Sequence, residues 1–214
     1  MQRNLSFSDR LLSHANNALK TLTPGAVKAA QPSPAAELPS GEALDQARRQ
    51  HIARLMRINH TGEVCAQGLY QGQSLTARLP DIRASMEAAS EEEFDHLVWC
   101  EDRIKELGGR TSYLNPGFYT LSYVLGALAG AAGDKWSLGF VAATEDQVSL
   151  HLKDHLDQID QDDARSSAIL QQMLDDEERH AKNALDAGGV AFPGWVKSAM
   201  TVISKAMTKT TYRV

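Results

Sequence analysis

Two glutamates in this 214-residue chain are each followed three positions later by a histidine: Glu93 with His96, and Glu177 with His180. Positions i and i+3 share a helix face, so each pair can aim a carboxylate oxygen and an imidazole nitrogen at a common point. With 12 Glu and 7 His in the chain, chance supplies about 0.4 such pairs, so one alone would mean little. Two more glutamates, Glu63 and Glu145, fall on the apolar stripes of two other helical segments. The set is one glutamate from each of two helices and Glu-x-x-His from each of two others, the ligand set of di-iron and di-manganese carboxylate bundles. Four carboxylates nearly neutralise two divalent ions, and only two imidazoles leave coordination positions open for dioxygen. Oxygen-rich, thiolate-free ligation favours iron or manganese over zinc, and the residue types do not separate those two.

The stripes that position these groups are legible residue by residue. One runs through Ile52, Leu55, Met56, Asn59, Glu63, Ala66 and Tyr70, and the next through Ile82, Met86, Ala89, Glu93, His96, Leu97 and Cys100. A third carries Leu138, Val141, Glu145, Val148, Leu152 and Ile159, and the last Leu170, Met173, Leu174, Glu177, His180, Ala181 and Ala184. Burying an ionised carboxylate without a partner costs several kcal/mol, and the stripes supply no Lys or Arg, so something positive must sit between them. The neighbouring acids Glu91, Glu92, Asp95, Asp175, Asp176 and Glu178 read as solvated helix faces. His14, His51, His60, His151 and His155 read as surface or internally satisfied histidines. Gly62, Gly68 and Gly72 interrupt the first ligand helix at sites where a ligand or neighbouring helix could come close.

From residue 44 onward the periodicity is helical almost throughout, broken at Leu79-Pro80, Leu107-Gly108-Gly109-Arg110, Asn115-Pro116, Gly133-Asp134 and Gly188-Gly189, with no run of alternating β-branched residues. An all-α fold follows. Residues 1–43 read as a short amphipathic helix, 9–22, and a Pro/Ala/Ser-rich linker; 44–190 as the helical metal domain; 191–214 as a basic amphipathic helix. That last segment puts Trp195, Met200, Ile203 and Met207 on one side and carries Lys197, Lys205, Lys209 and Arg213 with no acid. It suits an anionic membrane surface, or docking onto its own bundle or a second subunit. Residues 116–132 are nearly all apolar, fitting a buried or membrane-dipping helix. With net charge −5 and no basic stripe, nucleic-acid binding is not expected. Cys65 and Cys100 form no C-x-x-C pair, and no leader-like or spanning apolar run occurs, so a reducing cytoplasmic setting is expected.

NHTGEV (59–64), EEEFDH (91–96) followed by LGGR (107–110), ATEDQVSLH (143–151) and DDEERH (175–180) together resemble the demethoxyubiquinone hydroxylase family of ubiquinone biosynthesis over residues 44–190. The resemblance implies a ferritin-like four-helix bundle with added apolar and amphipathic helices. It places two iron ions on Glu63, Glu93, His96, Glu145, Glu177 and His180, the six residues reached above, and matches His151 as a proton-transfer or supporting residue. It implies O2 as co-substrate, an external reductant of unknown identity, and oxygen insertion at the last unsubstituted ring carbon of a polyprenylated benzoquinol. It also implies peripheral attachment to the cytoplasmic face of a bacterial inner membrane and contact with other ubiquinone-biosynthesis proteins; a homo-oligomer is open. Two rivals stand beside it: a ferritin-like ferroxidase or iron store, and a non-catalytic quinone- or lipid-binding module.

Overall fold

A computed structural model describes residues 6–39, 44–159 and 163–214, which form helices and turns with no strand among them. The helices are α1 (Phe7–Leu22), α2 (Gln46–Thr76), α3 (Pro80–Glu106), α4 (Asn115–Ala132), α5 (Asp134–Gln158), α6 (Ala164–Asp186) and α7 (Gly194–Thr211). Their starts follow local chemistry. Ser6 and Asp9 form a reciprocal capping box on α1. Asp45 accepts from Arg48 N at 2.9 Å to open α2, and Asp163 accepts from Ser166 N at 3.0 Å to open α6. Pro80 and Pro116 occupy first turns, where a missing N–H costs nothing. Gly133, at φ 125°, joins α4 directly to α5 through a backbone conformation that a side chain would strain.

α2 packs along α3 and α5 along α6, and α2–α5 and α3–α6 contacts close a four-helix bundle. The bundle therefore has an α2/α5 face and an opposite α3/α6 face. One apolar cluster includes Met56, Cys100, Ile104, Leu152, Leu170 and Met173; another includes Tyr70, Met86, Leu138, Val141 and Ala184. On every ligand helix the glutamate lies in sequence between its residues of the first cluster and those of the second. The acids thus form one polar layer between two apolar ones, the arrangement the four stripes require.

α4 lies on α2 through glycine. Gly68 and Gly72 of α2 meet the α4 backbone, and Gly126 and Gly130 of α4 meet α2; a Cβ on Gly68 would sit 2.6 Å from Tyr119 O. The opposite side of α4 exposes Leu121, Val124, Leu125 and Leu128. No helix among the described residues is long and apolar enough to cross a membrane.

α7 is tied to the bundle. Lys197 Nζ donates to Asp146 Oδ2 at 2.6 Å, Thr201 Oγ1 to Gln147 Oε1 at 2.8 Å, and His51 Nδ1 lies 2.8 Å from Tyr212 Oη. This corrects the expected one-sided stripe: Met200 and Met207 are half-buried while Trp195 and Ile203 face solvent. The reason is contact with α2, where Met207 Sδ meets Cys65 Sγ at 3.8 Å.

Residues 23–39 carry no helix, as their composition implies, but they are pinned to the bundle. Asp95 accepts from Ala30 N at 2.6 Å and Gln31 N at 3.2 Å, and Trp99 Nε1 donates to Gln31 O. Arg165 donates to Ala35 O and Leu38 O, and Ala35 enters the core. Asp95 is thus buried and engaged, not a solvated acid. The end of the linker, 40–43, and residues 1–5 lie outside the described residues.

Candidate metal centre

All six residues selected from the sequence as candidate ligands converge inside the bundle. Glu63, Glu93, Glu145 and Glu177 are each 2% exposed or less. Ligand atoms of Glu63, Glu93, His96 and Glu177 lie within 4.8 Å of one another. His96 Nδ1 is 2.9 Å from Glu93, 3.6 Å from Glu177 and 3.8 Å from Glu63. His180 Nδ1 is 3.0 Å from Glu93 and 3.9 Å from Glu177. Glu145 sits beside Glu177 and accepts a 2.6 Å hydrogen bond from Tyr70 Oη. No Lys or Arg forms an ion pair with any of the four glutamates among the described residues.

Distance alone does not make these atoms satisfied. Glu63 Oε2, both Glu93 oxygens, Glu177 Oε2 and the Nδ1 atoms of His96 and His180 are buried without an aligned hydrogen bond. Buried polar atoms normally find partners, and six orphans facing one point are what a positive ion replaces. The donor set, four carboxylates and two imidazoles, matches two hard divalent ions with open positions. The residues therefore fit a di-metal centre.

The protons follow the same geometry. Burial drives Glu63 well above the usual carboxylate range, with Glu93 adding to it, and burial drives Glu177 up with Glu93 and Glu145 adding to it. Burial also opposes ionisation of Glu93, but the His96 and His180 imidazoles outweigh it and hold Glu93 well below that range. Burial disfavours a charged His180 as well, yet the carboxylates, Glu93 first, raise it to about 9. At neutral pH the metal-free centre holds protons that a metal must displace. Affinity for a divalent ion, measured by competition against a chelator whose own pH dependence is known, is expected to rise with pH through neutrality as these protons are lost.

Each imidazole is also held from outside, and the hold is reciprocal. Asp176 of α6 lies 3.1 Å from Nε2 of His96 on α3, while Glu92 of α3 lies 3.0 Å from Nε2 of His180 on α6. This corrects the reading of Asp176 as solvated charge; Glu92 is solvent-exposed as expected but is also engaged with His180, and the solvated reading holds for Glu91, Asp175 and Glu178. The overlooked signal was an acid immediately before the glutamate of both Glu-x-x-His motifs. A carboxylate on the outer nitrogen fixes which nitrogen faces inward and raises its basicity, so Asp176→Asn is expected to weaken Co2+ binding about 10–100-fold in chelator competition.

His151 lies outside the cluster. Its Nδ1 meets Gln147 O at 3.1 Å, so that nitrogen donates and Nε2 keeps its lone pair, without a partner. That Nε2 is 3.9 Å from where a Cβ on Gly62, the residue before Glu63, would be. Burial lowers His151 to about 4, so it is neutral at pH 7. It borders a cavity of about 760 Å³ on the α2/α5 face, walled also by Leu55, Ile58, Leu150, His155 and Tyr212 under α7. Neither cysteine joins the centre: burial raises Cys65 to about 11 and raises Cys100 well above the usual thiol range.

Fold and site together define a ferritin-like helical bundle whose core fits a carboxylate–histidine di-metal centre. A solved structure of similar fold is the bacterioferritin-related protein from Bacteroides fragilis, a dodecameric thioferritin, with TM-score 0.55 and 21% identity over 67% of this chain and 85% of that one. The chain belongs to the family described as Ubiquinone biosynthesis protein COQ7, whose profile matches residues 50–211. It is 58% identical, over 100% of its length and 99% of the relative's, to the 3-demethoxyubiquinol 3-hydroxylase of Pseudomonas syringae pv. syringae. It is 60% identical to the protein of that name from Pseudomonas paraeruginosa, over 99% of this chain and 98% of the relative.

Proposed function

We infer that this protein is an O2-dependent monooxygenase that hydroxylates the ring of a demethoxyubiquinol, with two iron ions held by Glu63, Glu93, His96, Glu145, Glu177 and His180. When bound, the iron pair supplies the dioxygen activation that inserts one oxygen atom into the ring. The balance requires two electrons and two protons from an external reductant, the second oxygen atom leaving as water. The observation that carries this reading is a juxtaposition. α2 and α5, which bring the two lone glutamates, also wall the 760 Å³ cavity ending at His151. Its size is in the ordinary range for a small-molecule site, and its apolar wall suits a prenylated ring. His151 Nε2, neutral and unpartnered, can accept the hydrogen bond of a quinol hydroxyl and orient the ring. Tyr70 holds Glu145 through one oxygen, leaving the other for metal.

A mass-spectrometric quinone profile of cells lacking the protein tests this. The quinone missing one ring methoxy group should accumulate and be cleared by the intact gene but not by Glu177→Ala. A normal ubiquinone profile in the deletion strain would sink the assignment. A hollow shell of many copies packed with iron would favour storage instead, and no bound iron under iron-replete growth would favour a binding module.

Peripheral attachment to the cytoplasmic face of the inner membrane belongs to the same reading. It is supported by exposed Leu121, Val124, Leu125 and Leu128 on α4, and by Trp195, Val202 and Ile203 on α7, apolar faces of the kind that enter a lipid interface. Paired substitution of Val202 and Ile203 by Asp is expected to reduce sedimentation with phosphatidylglycerol-containing vesicles by about tenfold while soluble-phase metal content stays unchanged.

A further inference from the structure

We propose that divalent iron reaches the centre from the α3/α6 face, through the cavity beneath residues 23–39, displacing the Arg179 guanidinium on the way. The proposal rests on the di-metal reading of the six residues and adds to it a route.

A cavity of about 630 Å³ opens between the pinned segment and α3/α6, with Gln31, Pro34 and Glu37 on one wall and the two ligand imidazoles, His96 and His180, at its floor. The imidazoles are over nine-tenths buried, and their inner nitrogens are among the orphan atoms of the centre. On this side the imidazoles, the carboxylates that hold them and Arg179 stand between the cavity and the buried carboxylates.

The two large cavities differ in charge. Glu37, Glu92, Asp95 and Asp176 line this one against a single guanidinium, Arg179. Lys205, Lys209 and Arg213 line the α2/α5 cavity against a single carboxylate, Asp154. A cleft lined by one sign concentrates the opposite ion, so a dication is drawn to the histidine side and repelled from the side where the ring would bind. Cation and quinol thus use opposite faces of the bundle.

Arg179 sits where such a dication would pause. Its Nη2 donates to Asp176 Oδ1 at 2.7 Å and its Nη1 lies 3.6 Å from Glu92 Oε2, bridging the acids that hold the two histidines. The bridge is half exposed, and exposed ion pairs hold weakly, so a divalent ion can replace it at small cost. Glu92, itself more than half exposed, reaches from solvent to His180 and can pass the ion inward.

The test is anaerobic stopped-flow uptake of Co2+ by the metal-free full chain, followed by the visible absorption of the bound ion. Glu37→Lys should slow uptake about tenfold and Arg179→Gln should speed it about threefold, with final Co2+ per chain unchanged in both. Gln158→Lys, which adds a positive charge to the opposite cavity, should leave the rate alone. Equal rates in all variants, or slowing by Gln158→Lys and not by Glu37→Lys, overturn the route while the di-metal reading stands. A parent chain that takes up no Co2+ overturns both.

Discussion

Replacing Glu177 by glutamine is expected to abolish ring hydroxylation, a loss on the order of 1,000-fold, without weakening the metal-free protein. The two effects have opposite signs because the same carboxylate does different things in the two states. With metal present, losing one anionic ligand removes several kcal/mol of electrostatic support for the chemistry, and each 1.36 kcal/mol is about tenfold in rate. Without metal, Glu177 is held protonated by burial, with Glu93 and Glu145 adding to the shift. An acid with a raised folded-state pKa costs stability once pH exceeds its ordinary value of 4.5, because the unfolded chain ionises freely and the folded chain does not. Glutamine has no proton to lose. The metal-free variant should therefore match or exceed the parent in thermal stability at pH 7, an advantage that shrinks as pH falls toward 4.5.

Adding metal reverses the comparison. A ligand present at 1,000 times its dissociation constant stabilises by about 4 kcal/mol, or about 8–16 °C in Tm for a chain of this size. The parent should show that rise with Co2+ and Glu177→Gln should lose most of it. Were Glu177 simply a core polar residue, glutamine would lower Tm equally with and without metal, and the ligand assignment would fail.

The helical layout and the six converging residues were legible because both are periodic. A 3.6-residue repeat with four glutamates on apolar stripes admits one fold class and one explanation of the charge, and His96 and His180 then lie one turn from their partners. Glu92 and Asp176 were not legible by that rule. They lie one position off the stripe, so phase places them at the edge of the surface, and only the packing of α3 against α6 carries each acid to the other helix's histidine. Asp95 escaped for a related reason, since its partners are amides of a segment whose composition gives no hint of where it lies. In α7 the amphipathic helix was legible but which of its residues turn inward was not, because Lys197 and Met207 could serve either water or the bundle until Asp146 and Cys65 were known to face them. The His151 cavity likewise depends on where α7 docks.

The glycines of α2 were visible as interruptions, and their consequence is the largest expected effect on the stability of the metal-free chain. Gly72→Val should cost at least about 3 kcal/mol, lowering Tm by about 6–12 °C. A Cβ at position 72 would overlap Tyr123 O and lie 2.7 Å from Ala127 N, and at 126 it would overlap Leu69 O. These obstacles are backbone atoms in helices, which cannot rotate aside as a side chain can. Relief requires α4 to move away from α2, which would separate helices in close contact along Gly68, Gly72, Gly126 and Gly130 and would strain the 2.9 Å bond from Thr76 Oγ1 to Ala127 O. Gly117, in the first turn of α4, supplies the contrast: a Cβ there meets nothing within 4 Å, so Gly117→Ala should be neutral or stabilising by up to about 1 kcal/mol through helix propensity. Thermal unfolding of both variants separates a close helix contact from a general intolerance of substitution in these helices. Equal small changes at 72 and 117 would mean that α4 does not rest on α2 through its glycines. A large loss at 72 alone would show that α4 is held against the ligand helix that carries Glu63, and that its exposed leucines are presented from a fixed position.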